Sequence, residues 1–176
     1  MVLVRDLEPS DFTGVVEYYY HFYEEVEEDP SFGIVLFHNK PSLSDELQWF
    51  SGTYRDAVEG PVVVTVAEID SHLVGLCKVS GERPGSDVSH RAQLGVSVSR
   101  DYRGRGVGTA LLEETLRKCR GKFEIIELSV LTTNHVARKL YAKFGFKNYG
   151  TRPRSIKRGD AYIDEELLRL DLEPQG

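Results

Sequence analysis

Cysteine is scarce in this chain of 176 residues, with only Cys77 and Cys119. The two lie far apart in apolar contexts. That excludes a disulfide framework and reads as buried thiols of a cytoplasmic protein. The five histidines are scattered and methionine occurs once, which argues against a metal centre. No apolar run approaches the roughly 18 residues of a membrane helix. The opening MVLVRDLEPSDF lacks a basic region followed by an apolar core, so no signal peptide is read. There is no dense basic stretch with interleaved aromatics and the net charge is −6, which disfavours nucleic acid as a partner.

What remains is an ordinary globular composition, 40% apolar and 28% charged. The length suits one domain, residues 1–176, with a sizeable core. The charge is uneven. Residues 1–60 hold 13 acids and 3 bases, and residues 61–176 hold 15 acids and 19 bases. Such a split suits a cationic ligand on one side and an anionic one on the other, although plain surface composition explains it equally well.

Residues 2–5 read as a short strand. Ser10 or Asp11 then caps a helix through VVEYYYHFYEEV, which Asp29-Pro30 stops. Residues 30–41 read as loop, and Ser42 to Asp45 open a second helix that ends before Gly60-Pro61. The pattern then turns β-branched. Strands are expected over 62–69, 72–82 and 91–99, with a turn at 70–71 and a loop over 83–90. A helix over 109–119, a strand over 124–131 and a helix from Asn134 to Phe144 follow. Residues 146–150 and 161–172 complete the set as strands around a polar loop, 151–160. Hairpins first and βαβ crossovers later imply a mixed sheet with helices on both faces, an α/β (α+β) class.

The stretch Arg103-Gly104-Arg105-Gly106-Val107-Gly108 stands between a strand and a helix. A helix N-terminus offers unpartnered N–H groups and a dipole that favours an anion. Glycines let the preceding turn bring its own N–H groups close to that anion. The stretch matches neither GxxxxGK[ST] nor GxGxxG, because position 109 is threonine. A plain glycine turn is the competing explanation.

Together with EIIELSVLTTNHVARKLYAKFGF (124–146), this stretch resembles the GNAT superfamily of acyl-CoA-dependent N-acetyltransferases. The family's [RQ]-x-x-G-x-[GA] is matched by Arg103, Gly106 and Gly108. Its Asn-x-x-Ala-x-x-x-Tyr-x-x-x-Gly-Phe is matched by Asn134, Ala137, Tyr141, Gly145 and Phe146. The likeness is close over residues 62–150 and looser at both ends. It implies the GNAT fold, a mostly antiparallel sheet of about seven strands splayed between the fourth and fifth. It also implies acetyl-CoA as co-substrate, with no metal. Pantetheine would lie along Ser97, Val98 and Ser99, with the N–H of Val98 at the oxyanion. The pyrophosphate would take the N–H groups of Arg103 through Thr109. The arginine side chains would add charge at the mouth, although Arg105 reads equally as a solvated turn residue.

Asn134, Ala137, Arg138 and Tyr141 share one helix face. The resemblance gives Asn134 to pantetheine, Arg138 to the CoA 3′-phosphate, and Tyr141 to protonating the departing thiolate. Leu140 and Phe144 read as core. Many members carry a Glu on the strand equivalent to 91–99, whereas this strand offers Gln93, Gly95 and Ser97. Glu127 and Glu82 are the stand-ins for the general base, with ordinary strand residues as the plainer reading. Cys77 has no paired histidine and reads as core.

The acceptor site of the family lies between the first two helices and the last strands. The first helix brings Tyr18, Tyr19, Tyr20, His21, Phe22 and Tyr23, then Glu24, Glu25, Glu27, Glu28 and Asp29. So many aromatics cannot all face inward. They either line a cleft for a cationic amine or pack a helix with a solvated acidic end. Tyr162 and Asp164 are the acceptor-side pair implied by the closing strand. The leading function is acetyl transfer to a small-molecule amine or amino acid by direct attack in a ternary complex. A protein N-terminus or lysine as acceptor, a non-catalytic acyl-CoA-binding regulator and a nucleotide-binding module remain as alternatives. Family members are often homodimers, and the C-terminal strands or the aromatic helix would supply that interface.

Overall fold

The structure is a computed structural model, and it describes residues 1–29 and 32–172. Its frame is one seven-stranded sheet in the order β1-β2-β3-β4-β5-β7-β6. The strands are β1 (Leu3–Asp6), β2 (Val62–Ile69), β3 (His72–Gly81), β4 (Arg91–Val98), β5 (Ile125–Leu131), β6 (Lys147–Arg158) and β7 (Ala161–Asp171). The helices are α1 (Phe12–Glu28), α2 (Leu43–Glu59), α3 (Val107–Cys119) and α4 (His135–Lys143). Every neighbouring pair of strands is antiparallel except β4 with β5.

Two cores divide along the sheet. On one face α1 and α2 bury Val15, Tyr18, Phe22 and Phe50 against Val62, Val64, Val66 and Leu76. On the other face α3 and α4 bury Val107, Leu111, Leu112 and Tyr141 against Val63, Val74, Cys77 and Ile126. The alternation of β2 therefore feeds both layers. Where α3 crosses β3 the backbones come close, and a Cβ at Gly75 would lie 2.8 Å from Leu111 Cδ1.

Local chemistry explains most boundaries. Ser42 Oγ accepts the N–H of Asp45 at 3.2 Å while Asp45 Oδ2 accepts the N–H of Ser42 at 3.1 Å, a capping box that starts α2. Gly60, at φ +141°, ends the same helix. The cap expected at Ser10 or Asp11 is different. Pro9–Asp11 form a 3-10 turn, and Asp11 turns back to accept from the Glu8 N–H and from Arg5, leaving α1 without a side-chain cap. Pro30, expected to stop α1, lies outside the described residues. The largest difference is at 151–160, expected as loop. Residues 151–158 continue β6, and only a tight turn at 159–160 separates it from β7. Two register shifts and Arg154 at φ +53° interrupt the ladder, and Pro153 sits among them. A polar edge strand broken by bulges has no alternation to read.

Candidate active site

β4 and β5 pair only from Arg91–Gln93 to Ile125–Glu127 and then part. From Leu94 to Val98, β4 keeps β3 on one side and, among the described residues, has no strand on the other. The N–H of Ser99 donates to the Val74 carbonyl at 2.9 Å, so it points at β3. Backbone groups alternate sides along a strand. The N–H of Val98 therefore faces the gap, and so does that of Val96, which sequence reasoning passed over. Ser97 and Ser99, expected on pantetheine by their backbones, turn those groups to β3. The Ser97 side chain emerges on the α1 face, where its Oγ accepts from the Tyr18 hydroxyl at 2.8 Å.

The glycine stretch stands at the end of this gap. Gly104 (φ +71°) and Gly106 (φ +85°) both need the left-handed region, and Gly106 is the N-cap of α3 without a side-chain cap. The first N–H groups of α3 are thus left for a ligand. A Cβ at either glycine would meet nothing within 4 Å, so the turn is open outward. Gly108 is different. A Cβ there would lie 3.1 Å from Leu140 Cδ2, where α3 and α4 meet behind the turn. Val107 is buried and Thr109 is half-buried in the first turn.

The two arginines, both expected to add charge at the mouth, part company. Arg103 Nε donates to the Val98 carbonyl at 2.9 Å, and its guanidinium forms a bidentate pair with Glu25, buried on α1. It also stacks 4.2 Å from the Phe32 ring centroid. Arg105 is exposed, its guanidinium 5.6 Å from the Tyr102 ring centroid, and it forms no ion pair among the described residues. It is the cation available to a phosphate.

On α4, Asn134 is the N-cap. Its Oδ1 accepts from the Ala137 N–H at 3.1 Å, and its amide nitrogen lies directly under Gly33. Only that nitrogen remains for a ligand. Arg138, expected at the 3′-phosphate, instead grips Glu166 at 2.6 and 3.0 Å. Ala137 is half-buried on the same helix face. Tyr141 is 5% exposed, edge-on to Phe146 at 5.7 Å, and burial pushes its hydroxyl well above the ordinary value. Its hydroxyl is engaged by no group among the described residues, which leaves the proton free for a ligand atom.

Glu127 does not reach this place. It lies at the closed end of the β4–β5 pair, where Arg91 donates to it at 2.6 Å. Along β4, Gln93, its partner, is five residues from Val98, roughly 16 Å. Glu82 accepts from Gln93 at 3.0 Å in the same cluster. Both acids are parts of an Arg91-centred network. Tyr162 and Asp164 also fall elsewhere. Tyr162 is exposed between Arg154 and Lys157, and Asp164 Oδ1 holds the Arg154 N–H at 2.7 Å at the bulge. Their neighbour Glu165 is buried on the opposite face and bound by Ser129, Arg152 and Ser155. Cys77 is buried, and its thiol is pushed up to about 12 by burial, so it is no nucleophile.

The crowded aromatics of α1 separate by direction. Tyr18 and Phe22 face the sheet, Tyr19 packs edge-on to Trp49 of α2, and the Tyr20 hydroxyl reaches the Pro41 carbonyl. The acids of α1, including Glu17, Glu24, Glu25 and Glu28, line a cavity of about 470 Å³ beside Arg100 and Tyr102. Arg100 pairs with Glu28 there. The acidic end of α1 thus answers the arginines that precede the glycine turn.

Comparison with known proteins adds four findings. Residues 15–146 match the family model described as "Acetyltransferase (GNAT) family". The chain is 35% identical over 102 residues to the L-amino acid N-acetyltransferase AaaT of Escherichia coli, covering 56% of this chain and 62% of that one. It is 39% identical over 69 residues to the N-alpha-acetyltransferase RimI of Mycobacterium tuberculosis, covering 38% and 42%. These matches span less than two thirds of either relative's length. In structure it resembles the GCN5-related N-acetyltransferase from Kribbella flavida, with TM-score 0.78 and 26% identity over 97% of this chain and 98% of that one.

Proposed function

Since the chain belongs to the GNAT acetyltransferase family, we propose that it moves an acetyl group from acetyl-CoA to the primary amine of a small molecule, an amino acid first. The observation that carries this reading is the outer edge of β4 from Leu94 to Val98, left without a strand partner among the described residues and ending at the glycine turn that opens α3. An unpaired strand edge suits the amides of pantetheine. The turn's N–H groups, with exposed Arg105 beside them, suit the pyrophosphate. Acetyl-CoA, when bound, supplies the activated thioester. The residues present fit it, because the turn is open and the edge unpaired.

The N–H of Val98, with that of Val96 one step deeper, donates to the carbonyl oxygen as charge builds there. Asn134 contributes its amide nitrogen. Tyr141 holds its proton at neutral pH, as burial requires, and delivers it to the departing sulfur. The amine comes from the α1 face, where Ser97 Oγ, held by Tyr18, accepts from the incoming nitrogen. Glu127 is not assigned as base, since Arg91 holds it at the far end; the proton shed by the amine leaves to solvent water, from which Tyr141 is reprotonated.

Calorimetric titration with acetyl-CoA, CoA, ATP and NAD tests the reading, on wild type and Tyr141→Phe. Both proteins should bind acetyl-CoA and neither should bind ATP or NAD. Thiol release with a panel of amines should then be slow in the variant. If neither form of CoA binds, the reading fails. A peptide N-terminus is the second reading, favoured by the 39% match to a protein named as an N-alpha-acetyltransferase.

A further inference from the structure

Under α1 and α2, one row crosses three strands. Val64 of β2 pairs with Lys78 of β3, and Lys78 pairs with Gly95 of β4. Val64 is buried, whereas above Gly95 the space is open, and a Cβ there would meet nothing within 4 Å. Lys78 stands at the border. Its Nζ donates to Thr53 Oγ1 at 3.0 Å and lies 5.3 Å from the Trp49 ring centroid. It forms no ion pair among the described residues, and Asp56 acts on it only at longer range. An ammonium has three donors, and here one is spent on a neutral hydroxyl. Burial already pushes this group below the ordinary lysine value. A half-buried cation without a counter-ion is costly to keep. Yet this one stands beside a bare stretch of β4, and Gly95 directly precedes Val96, whose N–H faces the gap.

We propose that Lys78 is a specificity-determining residue that anchors a carboxylate on the acceptor, so that the enzyme selects amines that also carry an acid group. The inference rests on the transferase reading above and narrows its substrate to the amino-acid class. One strand spacing, about 4.8 Å, separates the backbone of Lys78 from that of Gly95 on β4, a span that an amino acid bridges once a hydrogen bond is added at each charged end. A simple amine enters as a second cation and is repelled, whereas a carboxylate cancels that repulsion and takes the two spare donors. Tyr19 and Trp49, edge-on at 5.4 Å, give the rest of the molecule an apolar wall.

The test compares L-methionine, L-glutamine and L-phenylalanine with their α-carboxamides, by thiol release from acetyl-CoA. The proteins are wild type, Lys78→Met, which keeps the stem, and Lys78→Arg, which keeps the charge. Wild type should favour acids over amides by about 10- to 100-fold in kcat/KM, the range of one charge-assisted hydrogen bond. Lys78→Met should bring that ratio close to one, mainly through KM, and Lys78→Arg should recover part of it. Titration of the same acids into CoA-saturated protein reads the anchor without turnover, and Lys78→Met should bind them at least about 10-fold more weakly. Amides used as well as acids, a ratio that survives in Lys78→Met, equal binding by the two proteins, or no acid bound by wild type would each overturn the anchor. Lys78-dependent binding without turnover of any amine would support the anchor and defeat the transferase reading alone.

Discussion

The pair of Arg103 with Glu25 makes an asymmetric prediction. The Glu25 side chain is 8% exposed and that of Arg103 is 31% exposed. Removing one member of a buried pair costs about 3–5 kcal/mol when the other stays buried and charged. Arg103→Met strands Glu25, which keeps only Arg100 at 3.6 Å. A loss of about 3 kcal/mol follows, near the low end of that range because Arg100 compensates in part. For a chain of this size that lowers Tm by roughly 6–12 °C. Glu25→Gln leaves Arg103 partly solvated, still bonded to the Val98 carbonyl and stacked on Phe32. Its cost should be about 1 kcal/mol. Urea unfolding of both single variants and the double variant measures this, with a coupling energy expected between the two. CoA binding should separate them further. Glu25→Gln frees a guanidinium beside the glycine turn and should bind CoA at least as tightly as wild type, whereas Arg103→Met should bind it more weakly. A costlier Glu25→Gln, or one that loses CoA affinity as Arg103→Met does, would refute the reasoning.

Gly106→Glu should abolish CoA binding in calorimetry while the far-UV spectrum is kept, because it sets a carboxylate in the turn proposed to hold the pyrophosphate, at a position with φ +85°. Tight binding by the variant would put the pyrophosphate elsewhere. Burial pushes the Asp11 carboxyl up, but the Arg5 guanidinium and the Glu8 N–H outweigh it and hold the group below the ordinary carboxylate value. A depressed folded value means stability that is present above about pH 4 and lost as pH falls through the folded pKa. The urea midpoint of Asp11→Asn should therefore fall less steeply with acid than that of wild type, and parallel curves would sink the idea. Cys77 and Cys119, both pushed up to about 12 by burial, should resist a thiol reagent at pH 8 in the native protein and react after unfolding. Labelling at the rate of a free thiol would contradict their burial.

Local rules carried the recognisable part of the site. The glycines at 104 and 106 sit at positive φ as a tight turn before a helix requires. The spacing from Asn134 to Tyr141 is a helix face wherever it occurs, and α4 bears it out. The splay between the fourth and fifth strands is there as well. These features depend on residues close in the chain. The polar segment 151–160 was illegible for the opposite reason. Its strand is an edge held by pairing with β7, against the local preferences of Pro153 and Arg154.

By itself the sequence determined the order of elements, the glycine turn before α3 and the Asn–Tyr helix, because backbone sterics and helical period act within a few residues. The tertiary structure alone decided which charges meet. Arg103 goes to Glu25, 78 residues away, Arg138 to Glu166, and Glu127 to Arg91, while Arg105 and Lys78 are among those that take no ion pair among the described residues. A side chain's partner is fixed by strand register and helix docking. Until those are set, each arginine and each carboxylate has many equivalent partners, and a cation that ends in an ion pair cannot be told from one that does not.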